Sequence, residues 1–167
     1  NVTIHFSKAG NVQSVTGSHI LIAAGRLPNI EDLNLDAAKI EFTPQGVQVD
    51  AKLKTSNKRV YAVGDVTGGR LFTHIAGYDA GIVIRNALFK LPAKANYDAA
   101  PWVTYTDPEL AHVGLREDEA RSRHGEVRVL KSEFADNDRA RCDGRTQGFA
   151  KVLVHKSGRI LGATIVG

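Results

Sequence analysis

The residues best suited to chemistry lie between Val60 and Ile75. The apolar run Val60-Tyr61-Ala62-Val63 ends in Gly64-Asp65, Thr67-Gly68-Gly69 forms a loop, and an amphipathic segment follows. In open α/β folds, ligands bind beyond the carboxyl ends of strands. Asp65 stands at such an end, where its carboxylate can accept hydrogen bonds from polyol hydroxyls. Gly64 has no Cβ and lets a ligand approach the backbone. The start of the following helix offers unpaired N–H groups and partial positive charge to an anionic or electron-rich group. Gly-Asp is also a common turn, and Asp65 taken alone could do no more than cap a loop. Specificity has to come from other segments.

The elements that would position these residues can be read along the chain. Val2 to Phe6 alternates with period two, Lys8-Ala9-Gly10-Asn11 is a turn, and a second strand follows over Val12 to Val15. Ile20 to Gly25 and Val60 to Val63 are short continuous apolar runs, which predict buried strands. Ile40 to Phe42 and Val47 to Val49 flank a Pro44-Gln45-Gly46 turn. A helix is expected from Thr73 to Phe89, with Ile75, Ala76, Ala80, Ile82, Val83, Ala87 and Leu88 on its apolar face and Pro92 just beyond. Residues 90 to 100 have little to bury and read as a linker between domains. Beyond them come a strand over Trp102 to Thr106, a polar helix over Arg116 to His124 ended by Gly125, and strands over Val127 to Phe134, Gly148 to His155 and Ile160 to Val166. The expected class is α/β followed by an α+β region of order β-α-β-β-β, with further structure expected after Gly167 to cover the sheet.

Composition excludes several roles. Hydrophobic residues make up 43% and charged residues 24% of the 167, a globular balance. No apolar run approaches the roughly 18 residues of a membrane span, and Asn1 to Phe6 reads as a strand and not as a signal peptide. The formal charge of +4 is dispersed. Its densest patch, Arg139, Arg141 and Arg145, is interleaved with Asp136, Asp138 and Asp143, so no nucleic-acid partner is expected. The single cysteine, Cys142, excludes an internal disulfide or a paired thiol site and fits a reducing compartment, the cytoplasm. None of the six histidines has metal-ligand spacing, and no metal site is expected. His5, His19, His124 and His155 read as surface residues; His112 reads as packing locally.

Four segments in order supply the missing specificity. Ile22-Ala23-Ala24-Gly25-Arg26-Leu27-Pro28-Asn29 resembles an Ala-x-Gly-Arg-x-Pro-Asn pattern, and Thr55 to Val66 resembles a Thr-…-Tyr-Ala-x-Gly-Asp pattern. Thr104 to Gly114 resembles the opening of a dimerisation domain, and Arg159 to Gly167 a later strand of it. Together they resemble the class I pyridine nucleotide–disulfide oxidoreductases, in particular the mercuric reductase and dihydrolipoamide dehydrogenase branch. The resemblance covers essentially the whole chain. It implies three parts: residues 1–25 as the tail of an NAD(P)-binding domain, 26–95 as the second segment of an FAD-binding domain, and 96–167 as the front of a dimerisation domain.

In such enzymes the Gly-Asp aspartate binds the ribityl chain of FAD, a role that would fall to Asp65 beside Gly64. Leu71, Phe72, Thr73 and His74 would lie against the flavin pyrimidine edge, with His74 acting mainly through its backbone. Gly25 would lie close to the nicotinamide nucleotide, and Arg26 would be structural, pairing with a nearby carboxylate. Tyr105, Thr106 and Pro108 resemble residues of the dimerisation domain, part of which would bury itself against a second subunit. The resemblance implies a parent that passes electrons from NAD(P)H through FAD to a disulfide, a metal ion or a similar acceptor. No catalytic residue can be assigned, because neither a Gly-x-Gly-x-x-Gly motif nor a Cys-x-x-x-x-Cys pair is present. The chain alone is expected to be inactive, and the alternative is a catalytically dead dimerisation module.

Overall fold

The computed structural model describes residues 1–167. Strands β1 (Val2–Lys8) and β2 (Asn11–Gly17) pair antiparallel through the expected turn. The run Ile20 to Gly25 is not a strand. It makes no ladder hydrogen bonds, and Leu21 and Ile22 are exposed. An apolar run becomes a buried strand only between sheet neighbours, and no strand pairs with this one.

A small core organises residues 30–69. Leu35, Ile40 and Val47 are buried together, with Val60, Ala62 and Val66 packed against them. Each such fully buried aliphatic side chain contributes about 2 kcal/mol. The hairpin β3 (Phe42–Thr43) and β4 (Gly46–Val47) is shorter than expected. Val60 to Val63 is extended but forms only one bridge, Tyr61 to Lys54, with Thr55 N–H donating to Val60 C=O and Ala62 N–H to Leu53 C=O. It is pinned to one neighbour instead of lying inside a sheet, which corrects the buried-strand expectation. Gly64–Thr67 then forms a tight 3₁₀ turn, closed by the Gly68 N–H on Asp65 C=O.

Helix α1 (Thr73–Ala87) buries Ile75, Asp79 and Ile82, an i, i+4, i+7 stripe with a carboxylate at its centre. Leu88, expected on the apolar face, lies past the helix end and is exposed. The segment that follows is no loose linker. Ala95 N–H bonds to Ala51 C=O, and Tyr97 hydroxyl donates to the buried Asp79 at 2.8 Å. Polar side chains hold it where apolar residues are few, which composition could not register.

The second unit is one antiparallel sheet of order β5-β6-β9-β8-β7. Its strands are β5 (Trp102–Thr104), β6 (Leu110–Gly114), β7 (Val127–Glu133), β8 (Phe149–His155) and β9 (Ile160–Val166). Helices α2 (Glu117–His124) and α3 (Asp138–Cys142) complete it, so the order is β-β-α-β-α-β-β. β6 and α3 were not expected. β6 has a buried histidine where an apolar residue would be sought, and α3 is a single turn capped by Asn137, whose Oδ1 accepts from Ala140 N–H. Within α3, Arg139 pairs with Asp143 at 2.8 Å, so the basic patch is partly neutralised locally.

His112 is tied to the centre of the sheet. Nε2–H donates to Gly114 C=O at 3.1 Å, which leaves Nδ1 to accept from Thr164 hydroxyl at 2.9 Å. α2 is almost wholly polar and docks through Ala120 against Val127 and Leu153, aided by Glu117, which reaches Lys151 at 3.3 Å. Gly125 ends the helix as expected.

One backbone crossing fixes the Gly-Asp turn. A Cβ on Gly68, at φ +68°, would sit 1.4 Å from the Gln45 carbonyl oxygen. Gly68→Ala should therefore cost about 3 kcal/mol, through overpacking and left-handed strain. Gly77→Ala, in α1 with open space around it, should instead gain about 0.5–1 kcal/mol. Urea denaturation midpoints check both, and equal effects would contradict the crossing.

Glu117 gives a pH prediction. Hydrogen bonds from Arg121, then from Lys151, hold its carboxyl below the ordinary 4.5. Its contribution to stability is present above that value and is lost as pH falls through the lower folded-state value. Thermal midpoints of wild type and Glu117→Gln should differ at neutral pH and converge in acid.

Candidate functional site

The structure gathers most of the predicted residues around one cleft. Leu71, Phe72, Thr73 and His74 form one wall, and Pro101, Trp102, Val103 and Tyr105 form the other, enclosing about 450 Å³ with Arg26 at the edge. Phe72 caps nothing with its side chain, but its carbonyl accepts from Ile75 and Ala76 N–H. The N–H groups of Thr73 and His74 have no partner within the chain. This is the donor pair that a helix start leaves free.

Arg26 carries the geometry. Its Nη2 donates to Leu71 C=O at 2.6 Å, and its Nη1 lies 3.5 Å from Asp65 Oδ2. One planar fork thus ties the Gly-Asp turn to the residues that lead into α1. The expected carboxylate pairing is present, and the partner is Asp65 itself. Asp65 remains about half exposed, so its other oxygen is free to accept.

Gly64 has a different reason for being glycine from the one read off the sequence. It is buried at φ +72°, and a Cβ there would come within 3.0 Å of Ala76 Cβ. The missing side chain lets α1 sit on the turn. Gly25 lies outside the cleft lining, next to Arg26, with open space where a Cβ would be. His74 donates from Nε2 to Pro101 C=O at 2.8 Å, and its ring stacks on Phe72 at 5.4 Å. Its imidazole is thus engaged by Pro101 and Phe72, and its main-chain N–H is left without a partner. Trp102, expected to open a strand, and Tyr105, expected to belong to the dimerisation domain, line the cleft; Trp102 also packs on His112 at 5.5 Å. No spacing rule links residue 26 to 65 or 72 to 102; only the pairing of Arg26 with a carboxylate was foreseeable.

A flavin dinucleotide asks three things of such a place: an acceptor for ribityl hydroxyls, donors at the pyrimidine edge, and a flat slot. The free Asp65 oxygen and the unpaired Thr73 and His74 N–H groups are of the first two kinds, and Phe72, Trp102 and Tyr105 put aromatic rings beside the cleft. The grip on a pyrophosphate has no counterpart in these residues, since the sequence holds no Gly-x-Gly-x-x-Gly.

Known proteins resemble this chain in sequence and in fold. Residues 2–95 match the family described as pyridine nucleotide-disulphide oxidoreductase, and residues 100–167 match its dimerisation domain. The chain belongs to the pyridine nucleotide–disulphide oxidoreductases. It is 35% identical over 99% of its length to a dihydrolipoyl dehydrogenase of Geobacillus stearothermophilus, covering 36% of that protein. It is 36% identical over 98% of its length to a mercuric reductase of Bacillus cereus, covering 26% of that protein. Among solved structures, the HOCl-induced flavoprotein disulfide reductase RclA of Escherichia coli superposes with a TM-score of 0.82 at 31% identity, over 97% of this chain and 38% of that one. The chain thus spans about a third of the length of the family members it matches. No helix in it is long and apolar enough to cross a membrane.

The Arg26–Asp65 pair is exposed on both sides. Arg26→Ala should therefore cost less than about 1 kcal/mol of stability, measured by urea denaturation. A loss several times larger would make Arg26 a fold-holding residue instead of one that orients Asp65 and Leu71.

Proposed function

We propose that this chain supplies the ribityl and pyrimidine-edge half of an FAD site in an oxidoreductase that takes electrons from NAD(P)H and delivers them to a disulfide, a metal ion or a similar acceptor. The observation that carries the reading is the Arg26 fork, which sets Asp65 beside the cleft where the Thr73 and His74 N–H groups are free. Asp65 would accept from the ribityl hydroxyls. Leu71, Phe72, Thr73 and His74 would line the flavin edge, with the two free N–H groups and the α1 dipole favouring negative charge there. Gly64 would seat the helix, and Gly25 would lie towards the nicotinamide nucleotide. FAD supplies the hydride and electron chemistry when bound; these residues orient it and bias its charge.

The acceptor classes follow from the relatives, named for dihydrolipoyl, mercuric and disulfide reactions. We place the three parts at 1–25, 26–95 and 96–167, with the last pairing two subunits into a homodimer in the cytoplasm. One cysteine leaves this chain no redox pair of its own, so as a separate polypeptide it would act only as a dimerisation module.

Asp65→Ala in the complete flavoprotein should weaken FAD binding about 10- to 100-fold, the loss expected for hydrogen bonds to a charged acceptor, read by flavin fluorescence titration. Unchanged affinity would remove Asp65 from the site. The 167-residue chain alone should bind no FAD tightly and should sediment as a dimer.

A further inference from the structure

Residues 93–101 run back along α1, and side chains of the helix hold them at intervals. Near the end of α1, Asn86 Nδ2 donates to Ala93 C=O at 2.8 Å, and its Oδ1 accepts from Ala93 N–H at 3.1 Å. Midway, Tyr78 hydroxyl accepts from Asn96 N–H at 2.9 Å, and buried Asp79 accepts from Tyr97 hydroxyl at 2.8 Å. At the first turn, His74 donates to Pro101 C=O, one residue before β5 begins. The rings of Tyr78 and Tyr97 meet edge to face at 6.0 Å.

These contacts are more than packing needs. Burying a carboxylate in the central position of a helix stripe is costly unless it is hydrogen-bonded, and Asp79, at 2% exposure, has Tyr97 as its one side-chain partner. The C-terminal end of the run reaches the cleft, because Pro101 and its partner His74 both line it. We propose that residues 93–101 are a strap that sets where the first turn of α1 stands in the cleft, with Tyr97 and His74 as positioning residues for the flavin edge. The strap fixes the angle of α1 against β5, and so the aim of the Thr73 and His74 N–H groups. The inference rests on the FAD reading above.

A loosened strap should misplace the two N–H donors and leave the cleft otherwise intact. Their interaction is with charge that grows on reduction, so binding of reduced FAD should suffer more than binding of oxidised FAD. A merely structural role would weaken both alike. The test measures both affinities by titration in the complete flavoprotein. Tyr97→Phe and the exposed His74→Ala should weaken reduced FAD about threefold to tenfold, the loss of a hydrogen bond, and oxidised FAD less. Asp79→Asn, which keeps an acceptor for Tyr97, should stay near wild type. Equal loss for both redox forms, or no loss, while wild type and Asp65→Ala differ as expected, overturns the strap and leaves the FAD reading standing. If Asp65→Ala changes nothing, the FAD reading fails and takes the strap's role with it.

The latch itself has a readout free of flavin. Burial, then the hydrogen bond to Asp79, raises the Tyr97 phenol well above the ordinary tyrosine range. Ultraviolet phenolate titration of the 167-residue chain should show one of its four tyrosines ionising well after the rest. If all four titrate together, the Tyr97–Asp79 latch is not formed and the strap proposal falls.

Discussion

The candidate site depends on a crossing of two backbones. The Gln45 carbonyl of the β3–β4 turn occupies the space a side chain on Gly68 would need. This contact presses the hairpin onto the Gly64–Thr67 turn, and Val66 adds its side chain to the cluster of Leu35, Ile40 and Val47. With the turn fixed from that side and α1 seated on Gly64 from the other, Asp65 has little freedom to be anywhere else. Arg26 then joins the carboxylate to the Leu71 carbonyl. The hydrophobic contribution is small and local, and polar contacts supply the precision.

The second unit is organised by the same division of labour. Its sheet is held by five antiparallel strands, while α2 buries a single alanine and relies on Glu117 to reach both Arg121 and Lys151. His112 links β6 to β9 and packs at a tilt on Trp102, so the lining of the cleft is continuous with the centre of the sheet. A subunit contact made through this sheet would therefore bear on the cleft through Trp102.

Much of the architecture was legible in the sequence, and the exceptions share a cause. α1, α2 with its Gly125 stop, and strands β7 to β9 announce themselves because their own residues carry the period or the turn chemistry. Ile20 to Gly25 and Val60 to Val63 read as strands from their apolar runs, but a strand exists only with partners, and such a run does not say whether partners are at hand. β6 was missed because its buried position is His112, a residue that satisfies itself by hydrogen bonds. For the site, the ordered motifs pointed to Asp65 and to Leu71 through His74, and the cleft collects the latter four. The strap leaves no periodic trace in the sequence, because Tyr97 and Asn86 act through polar contacts to residues 18 and 7 positions away.

In the proposed complex the start of α1 faces a flavin. Amide hydrogen exchange at Thr73 and His74, in the complete flavoprotein with and without FAD, tests it most directly. The two N–H groups have no partner within the chain, so they should exchange fast without FAD and be protected when it binds. Rapid exchange at both positions with FAD fully bound would place the flavin away from the start of α1.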